Sequence, residues 1–350
     1  PTVHQDELHT AMAYLIRRLD ENTQKENFLT HIFEIEHEPL SFIDQKSRFE
    51  RSVIECNHLS TTPRRTQDRR IFQENPHSTH FLNEPDTDWS LPQNREFVKQ
   101  ALAKWQQRTF DIPCLIGSGI IFTKQRAQGI DPSRPGFSLL SYSLADIDNV
   151  DSAIQYAQSN GSSWNKLPTT DKAQIFRRFA QLLRKTRGEM ICAIVAEAGK
   201  PFAEADGEVS EAIDFANYYA NVIEQHEEFF RLIPKKKSIA LVATPWNFPC
   251  SIPTSSIIAP LAAGQSVIFK PAEYAALVGF KLTELFYQAG IPHEALQFIT
   301  CRDEPVGSYL VKHPAINLIM TTGATDTCRL FMKLKPDVRL FGETGGKNCG

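Results

Sequence analysis

Long apolar runs, paired metal-ligand cysteines and a marked excess of one charge are all missing from this 350-residue sequence. No stretch approaches the roughly 18 consecutive apolar residues that a membrane-spanning helix needs, so no such helix is expected. The formal net charge is -3 at pH 7, and so small an excess gives no general attraction to nucleic acid or anionic lipid. These absences favour chemistry on small molecules.

Cysteine is sparse and poorly spaced for a structural role. The seven cysteines are an odd number without a CxxC pair, so neither a disulfide framework nor a metal site is predicted. The first segment, PTVHQDELHT, lacks the basic start and apolar run of a signal peptide. A cytoplasmic location is therefore expected.

Helical spacing of apolar residues marks much of the first two thirds of the chain. It is clear over 7–29, where the opposite side is charged, and it fails over 30–92. The second stretch is rich in Pro, Thr, Asn, His and charge, and we interpret it as a linker with short local structure. The further helices predicted are 93–107, 146–159, 169–198 with an interruption near Gly188, and 202–229. The Gly/Pro-rich stretch between the first two of these leaves room for extended segments.

After Pro234 the pattern changes to short β-rich runs that alternate with helical segments. The predicted strands are 238–244, 266–270, 295–299, 316–321 and 338–342, and the helical segments begin near Ser251, Ala275, Pro305 and Ala324. This alternation is typical of parallel βαβ units and predicts an α/β fold with an open, doubly wound parallel sheet. Such sheets bind ligands beyond the carboxyl ends of their strands, so the segments that follow each strand are candidate site segments.

The first candidate segment is TPWNFP, residues 244–249. Its two prolines fix the backbone and point Asn247 away from the sheet edge. A fixed amide donor at that place suits stabilisation of an oxyanion, which needs donors that do not move during the reaction. An ordinary structural turn is the alternative interpretation.

Three later segments carry further candidates. Lys270 and Glu273, after the next strand, have the donor and acceptor that could hold two ribose hydroxyls, or they form a solvated charge pair. Thr322 and Gly323 lie where a strand gives way to a helix, a place that offers free N–H groups to a phosphate. Glu343 ends the last strand before two glycines, where a carboxylate could act as general base or belong to a turn.

In this order and spacing, TPWNFP, KPAE, HPxI before a TG turn and ETGGKN resemble the aldehyde dehydrogenase superfamily over roughly 130–350. The resemblance implies that Asn247 is the oxyanion donor and that Glu343 is the general base. It implies that Lys270 and Glu273 hold the adenosine ribose of NAD. The full set of implied cofactor contacts is Pro245, Trp246, Lys270, Glu273, Thr322 and Gly323. EAGK (197–200), EVSEAIDFANYYA (208–220) and ETGG in place of ELGG resemble the family's pyrroline-5-carboxylate branch, which acts on glutamate semialdehyde.

Three departures from the family pattern stand out. Residues 321–324 read TTGA rather than Phe-Thr-Gly-Ser, and Arg302 stands where a small residue is usual. The family's nucleophilic cysteine falls beyond Gly350. The cysteines present are therefore interpreted as buried or incidental thiols: Cys56, Cys114, Cys192, Cys250, Cys301, Cys328 and Cys349.

The first helix, AYLIRRLDENT, is similar to the last helix of the flavin-dependent proline dehydrogenase barrel. Tyr14, Arg17, Arg18 and Glu21 are spaced so that they form one polar stripe on a helix. Two adjacent guanidinium groups can hold a carboxylate. The resemblance implies that the first three residues bind proline in a complete enzyme and that Glu21 belongs to an FAD site, whereas a solvated basic face is the alternative.

The segment 83–95 is also like the junction found in the bifunctional proline utilisation A family. The two resemblances together imply a terminal barrel helix over 1–30, a linker over 31–92 and an NAD-binding aldehyde dehydrogenase region over 93–350 that is truncated before the catalytic cysteine. The implied activity is oxidation of glutamate semialdehyde with NAD, in a protein that forms a homo-oligomer when complete.

Two other interpretations stay open, namely a different aldehyde dehydrogenase and, outside the enzymes, a non-catalytic NAD-binding or interaction fragment. Nucleic-acid binding through an arginine cluster is a further alternative, although arginines in a polar linker are ordinarily solvated. That cluster consists of Arg64, Arg65, Arg69 and Arg70.

Overall fold

The computed structural model describes residues 8–25, 27–32, 34–72, 81–105, 108–160, 162–232 and 238–345. The contacts divide the chain into two compact units, Pro1–Thr66 and Gln67–Gly350. Among the described residues, no helix combines the length and the apolar character needed to cross a bilayer.

The described part of the first unit contains α1 (Leu8–Thr23), α2 (Phe28–His31), α3 (Pro39–Glu55) and a short 3-10 helix over Cys56–His58. The single helix predicted over 7–29 is confirmed over Leu8–Thr23 but does not continue to residue 29, since α2 is a separate helix. The irregular linker predicted from residue 31 is wrong where α3 runs for 17 residues. Pro39 opens α3 at a position where a proline fits a helix. Oppositely charged residues four positions apart, such as Arg48 and Asp44 at 2.8 Å, stabilise α3. Because these residues make the segment highly charged, its composition looked like that of a linker.

The second unit holds the remaining elements. Its helices are α4 (Pro92–Trp105), α5 (Ile147–Asn160), α6 (Ser162–Lys166), α7 (Thr169–Lys185), α8 (Arg187–Ala198), α9 (Phe202–Gln225), α10 (Glu227–Leu232), α11 (Ser251–Ala262), α12 (Ala276–Ala289), α13 (Ser308–Lys312) and α14 (Thr325–Leu334). Its strands are β1 (Phe110–Ile112), β2 (Cys114–Ile116), β3 (Gly119–Ile121), β4 (Arg126–Ile130), β5 (Ser138–Ser143), β6 (Ile239–Thr244), β7 (Ser266–Pro271), β8 (Leu296–Phe298), β9 (Ile316–Gly323) and β10 (Arg339–Thr344).

The main sheet has seven strands in the order β10-β9-β6-β7-β8-β2-β3. The first five neighbours are parallel, so the predicted doubly wound core is confirmed. The sheet as a whole is mixed rather than parallel, because β2 pairs antiparallel with both β8 and β3. A two-residue turn joins β2 to β3, and a connection that short permits only antiparallel pairing.

A second, three-stranded sheet has the order β1-β5-β4, with β1 parallel and β4 antiparallel to β5. It lies in the Gly/Pro-rich stretch where extended segments were expected. Strands of three to six residues offer too few positions for a period-two pattern to stand out in the sequence.

The central strands bury side chains on both faces of the main sheet. Ala240 and Val242 of β6 belong to the larger hydrophobic cluster, which includes residues of α7, α8, α9, α11 and α12. Ile239 and Leu241 point the other way, into a smaller cluster with residues of α5 and α13. Because both faces are covered, the sequences of these strands are continuous apolar runs, and the strands could therefore be predicted from the sequence.

Two long predicted helices are each divided in the structure. The first breaks at Thr186 between α7 and α8, which confirms the interruption predicted near Gly188, although Gly188 itself lies inside α8. A Cβ atom on Gly188 would come within 2.8 Å of the Phe97 ring of α4, so this glycine allows close helix packing rather than a break. The second ends at Gln225, and α10 follows it.

The second unit starts at Gln67, well before the boundary predicted at residue 93. The cause is an ion cluster around Glu84, a residue of the predicted linker. Glu84 lies 2.9 Å from Arg187 and 2.7 Å from Arg184, and Arg187 also bonds Asp206 at 2.7 Å. Burial alone would raise the pKa of Glu84, but Arg184, Arg187 and Arg69 hold it below its usual range. The sequence did not reveal this ion cluster, because its arginines on α7 and α8 are far from Glu84 along the chain.

Arg69 belongs to the same cluster and is not a solvated linker residue. Its side chain is only 12% exposed, and its guanidinium bonds Glu84, the Thr87 hydroxyl and the Pro85 carbonyl. The neighbouring Arg70 bonds Asp68 at 2.7 Å. This arrangement removes Arg69 from the surface that nucleic-acid binding would need.

Candidate active site

The carboxyl ends of the parallel strands form one level edge. The register pairs Lys270 with Ala243, Ala243 with Thr321, and Thr321 with Gly342. The strands that follow β6 in sequence lie on opposite sides of it, β7 and β8 on one side and β9 and β10 on the other. Strand order therefore reverses between β6 and β9, the place where open α/β sheets bind ligands.

The turn that carries Asn247 connects β6 to α11, and Asn247 is exposed. A buried carboxylate on α9 holds the far end of this turn. Glu208 accepts hydrogen bonds from the backbone N–H groups of Cys250 at 2.7 Å and Ser251 at 3.2 Å. These bonds satisfy donors at the start of α11 and fix the turn against α9.

Lys200 completes this support. Its ammonium lies 2.7 Å from the second oxygen of Glu208 and 3.9 Å from the centre of the Phe248 ring. Burial raises the pKa of Glu208, and Lys200 and the two backbone donors oppose that effect. Lys200 and Glu208 lie in segments that stand out in the sequence only for their family resemblance, so neither residue was assigned a role from the sequence.

Lys270 lies near the end of β7 and Glu273 just after it, and each pairs with a residue of the segment that follows β8. The Lys270 ammonium is 3.1 Å from an oxygen of Asp303. Both oxygens of Glu273 bond Arg302, at 3.0 and 3.1 Å. Lys270 and Glu273, the residues predicted to bind the ribose, therefore contact the segment around Arg302, where the sequence departs from the family pattern.

A second buried carboxylate, Glu197, supports the start of α12, the helix that follows β7. Its oxygens accept from the backbone N–H groups of Leu277 at 2.8 Å and Val278 at 2.9 Å, in the first turn of α12. Burial raises the pKa of Glu197 from an ordinary 4.5 to about 7, although the backbone donors act against the shift. Sequence spacing contains no sign of this contact, because 80 residues separate the partners.

Glu197 should make stability depend on pH. Its pKa is raised to about 7 in the folded protein, so the folded state keeps a proton that the unfolded chain loses above its ordinary pKa. Its contribution to stability should be complete below pH 4.5 and fall by up to about 3 kcal/mol as the pH rises to neutrality. Urea unfolding of the wild type and of Glu197→Gln, which cannot titrate, should show a difference in unfolding free energy that declines across this window. A difference that stays constant with pH would contradict this.

Thr322 and Glu343 both line a cavity of about 620 Å³ at the ends of β9 and β10. They are register partners on adjacent strands. Helices α9 and α11 contribute Tyr219 and Ser256, among others, to the cavity wall. The pKa of Tyr219 is raised by burial first and then by Tyr218 and Glu343. The contribution of Glu343 agrees with a carboxylate that faces this cavity.

The remaining predicted cofactor residues lie along the same edge. Gly323 ends β9 opposite Thr344, Pro245 is half-buried, and Trp246 is exposed. The edge therefore carries Glu343 and Thr322 on one side of the Asn247 turn and the lysine-glutamate pair on the other.

Most of the cysteines are buried, as expected. Burial raises the pKa of Cys192 to about 12 and of Cys301 to about 11, and it raises that of Cys250 well above its usual value. Cys114 and Cys328 are also buried, with raised pKa values. A nucleophilic cysteine needs an accessible thiolate, so none of these five suits that role. Cys56 is exposed, and Cys349 lies outside the described residues.

In the first unit, the predicted stripe on α1 is formed. Tyr14, Arg17 and Arg18 are exposed, the Arg18 guanidinium lies 5.2 Å from the centre of the Tyr14 ring, and it bonds Glu21 at 2.5 Å. Proline and FAD contacts at this stripe stay predictions.

Residues 122–349 match the aldehyde dehydrogenase family. The chain belongs to the aldehyde dehydrogenase family. The 1-pyrroline-5-carboxylate dehydrogenase of Staphylococcus aureus strain MW2 is 30% identical over 288 residues, which cover 77% of this chain and 56% of that protein. The chain thus spans little more than half the length of this relative.

Solved structures extend the likeness. A 1-pyrroline-5-carboxylate dehydrogenase from Thermus with bound NAD is 31% identical, with a TM-score of 0.71, over 77% of this chain and 56% of that one. Proline utilization A from Bdellovibrio bacteriovorus, inactivated by N-propargylglycine, is 28% identical with a TM-score of 0.76. That match covers 96% of this chain and 35% of the longer protein.

Proposed function

We propose that this chain is the NAD-binding part of an enzyme that oxidises L-glutamate γ-semialdehyde, the open form of pyrroline-5-carboxylate, to glutamate. The observation that carries the proposal is the shared carboxyl edge of the sheet. It aligns an exposed amide, a lysine-glutamate pair and a carboxylate in one row, at the point where strand order reverses. The similarity to 1-pyrroline-5-carboxylate dehydrogenases supports the choice of substrate.

The residues along this edge suit NAD. Lys270 supplies a donor and Glu273 two acceptor oxygens, the set that the two hydroxyls of the adenosine ribose require. The backbone at the end of β9, with Thr322 and Gly323, lies just before α14, whose first turn presents N–H groups to an anion. Pro245 and Trp246 lie on the Asn247 turn beside these segments, where the exposed indole offers an apolar surface.

The geometry suits Asn247 and Glu343 to separate chemical tasks. A thiol supplied from elsewhere in the protein would add to the aldehyde carbon, and the Asn247 amide would donate a hydrogen bond to the resulting oxyanion. NAD, when bound, accepts the hydride. Glu343, beside the cavity, would take a proton from the water that hydrolyses the thioester.

We also propose that the chain comes from a bifunctional enzyme whose other half oxidises proline with FAD. The coverage of 96% of this chain by a proline utilization A structure supports this, as does the polar stripe on α1. Tyr14, Arg17 and Arg18 would then hold the proline carboxylate, and Glu21 would face the flavin site. The complete protein would act on small molecules, in the cytoplasm, as a homo-oligomer.

Calorimetric titration of NAD into the chain tests the cofactor site. Glu273→Ala should weaken NAD binding about tenfold to a hundredfold, because a charged acceptor of two ribose hydroxyls is lost. Glu96→Ala is the matched control, since Glu96 lies on α4 and bonds Gln100. If both variants bind NAD as tightly as the wild type, the assignment of Glu273 to the ribose is wrong.

A further inference from the structure

The exposed turn that carries Asn247 is held by other parts of the unit rather than by its own side chains. The hydroxyls at its two ends, on Thr244 and Ser251, are buried and make no hydrogen bond to the described part of the chain. The Asn247 side chain is exposed, and its amide has no hydrogen-bond partner among the described residues. The direction of this amide therefore depends on the backbone of the turn and on the groups that fix that backbone.

A single ammonium group contacts the turn on both sides of Pro249. The Lys200 Nζ atom lies 3.9 Å from the centre of the Phe248 ring. It also donates to one oxygen of Glu208 at 2.7 Å, while the other oxygen accepts from the Cys250 N–H group at 2.7 Å. Contacts of a cation with a ring face and with a carboxylate are both stronger when water is excluded.

The surroundings of Lys200 keep this ammonium in place. Only 11% of its side chain is exposed, and the Glu208 side chain is fully buried. The backbone is confined as well, because Gly199 closes α8 in a left-handed conformation with φ of 70° and Pro201 precedes α9. Lys200 is therefore a fixed point between two helices and not a mobile surface charge.

We propose that Lys200 is a positioning residue for catalysis, which holds the Asn247 amide through Glu208 and Phe248 at the place where the oxyanion forms. The inference rests on the proposed function, in which Asn247 donates to that oxyanion. Such donors are effective only when they do not reorganise during the reaction. A displacement of about 1 Å can cost roughly a hundredfold in rate. In this role Lys200 acts through the turn and does not contact the substrate.

The lysine-glutamate pair makes the turn sensitive to pH. Glu208 can accept bonds from both the turn and Lys200 only while it is ionised. Burial raises the pKa of Glu208, and Lys200 and the backbone donors of the turn act against that effect. Loss of Lys200 should therefore raise the pKa of Glu208 further. The other charged groups around this position are Arg187 on α8, three acidic residues on α9 and two in the segment before α4: Glu204, Glu211, Asp214, Glu84 and Asp86.

Hydrogen–deuterium exchange of the chain measures how firmly the turn is held. Lys200→Met should speed exchange of the Cys250 and Ser251 amides about tenfold, because their acceptor loses its cation and takes up a proton more readily. Lys200→Arg keeps the charge and should stay within about threefold of the wild type. Lys281→Met is the matched control, because Lys281 is 16% exposed and also combines a carboxylate, Glu189 at 2.8 Å, with aromatic rings.

NADH formation from pyrroline-5-carboxylate, by a longer polypeptide that supplies the catalytic thiol, measures the effect on catalysis. Lys200→Met should slow the first turnover about tenfold to a hundredfold. It should change the half-saturating substrate concentration by less than about threefold, because Asn247 acts on the oxyanion and not on the bound aldehyde. The first turnover precedes hydrolysis of the thioester, so the step proposed for Glu343 does not enter the rate.

The pH profile of the first turnover separates a positioning role from a general loss of stability. In Lys200→Met the acid limb should move to higher pH, whereas Lys200→Arg should keep it near that of the wild type. Adding Glu208→Gln to Lys200→Met removes the group that titrates, so the shift of the acid limb should disappear.

An unchanged first turnover in Lys200→Met, even with faster amide exchange, would overturn the positioning role. Equal losses of rate in Lys200→Met and Lys281→Met would overturn it as well, since general destabilisation would then explain both. So would an acid limb that stays in place in Lys200→Met, or that shifts equally far when Glu208→Gln is added. If the unmodified longer protein forms no NADH, the proposed function itself fails, and with it this inference.

Discussion

Replacing Glu84 by alanine is expected to destabilise the second unit by about 3–5 kcal/mol, because it leaves buried cations without their carboxylate. The Arg187 and Glu84 side chains are each only 2% exposed, and Arg184 is 10% exposed. Asp206 can still pair with Arg187, but Arg184 loses its partner in this cluster. A desolvated guanidinium cannot shed its charge at accessible pH, so the full cost falls on the folded state.

Urea unfolding of the whole chain measures this effect. Asp86→Ala is the matched control, since Asp86 lies two residues away, is exposed and carries the same charge. The control should stay within about 0.5 kcal/mol of the wild type, as surface substitutions ordinarily do. Equal stability of the two variants would mean that the Glu84 cluster does not join the segment before α4 to the rest of the unit.

The parallel core was predictable because its strands are buried on both faces. The predicted strand 266–270 corresponds to Ser266–Pro271, and 238–244 to Ile239–Thr244. Continuous apolar runs between helical segments carry this information locally. The carboxyl edge follows from the same strand pattern, which is sufficient to place Asn247 beyond the end of its strand and Lys270 near the end of its own.

The features that the sequence did not reveal depend on distant partners or short elements. Glu84 and Arg187 are 103 residues apart, and Glu208 lies 42 residues before Cys250. No spacing rule connects such pairs, so the cluster around Glu84 was hidden in what looked like linker. The three-residue strands β1, β2 and β3 are too short for a periodic signal, which is why the mixed character of the main sheet was missed.

The buried residues that hold the site in place were less predictable than the residues along the carboxyl edge of the sheet. Glu197 and Glu208 act through backbone N–H groups, which every sequence position except proline offers, so side-chain pattern cannot identify their partners. Arg302 stands out in the sequence only as a departure from a family pattern. Its contact with Glu273 depends on the alignment of β7 beside β8, which only the fold supplies.

Asn247→Ala is expected to lower the turnover number about a hundredfold to a thousandfold in a polypeptide that supplies the catalytic thiol to this chain, because one oxyanion donor is lost. NAD affinity should change little, since the amide acts on the reacting carbonyl. Asn149→Ala is a suitable control, because that amide caps the start of α5 through Asp146 and lies in a separate segment.

The measurement that tests the central claim most directly is NADH formation from pyrroline-5-carboxylate, followed by absorbance, with that longer polypeptide and its Asn247→Ala variant. We expect NADH to form with the unmodified protein, to require NAD and the open semialdehyde, and to fall by the stated factor in the variant. Absence of NADH although NAD binds, or an unchanged turnover number in Asn247→Ala, would contradict the assignment of this edge of the sheet as the active site of a glutamate semialdehyde dehydrogenase.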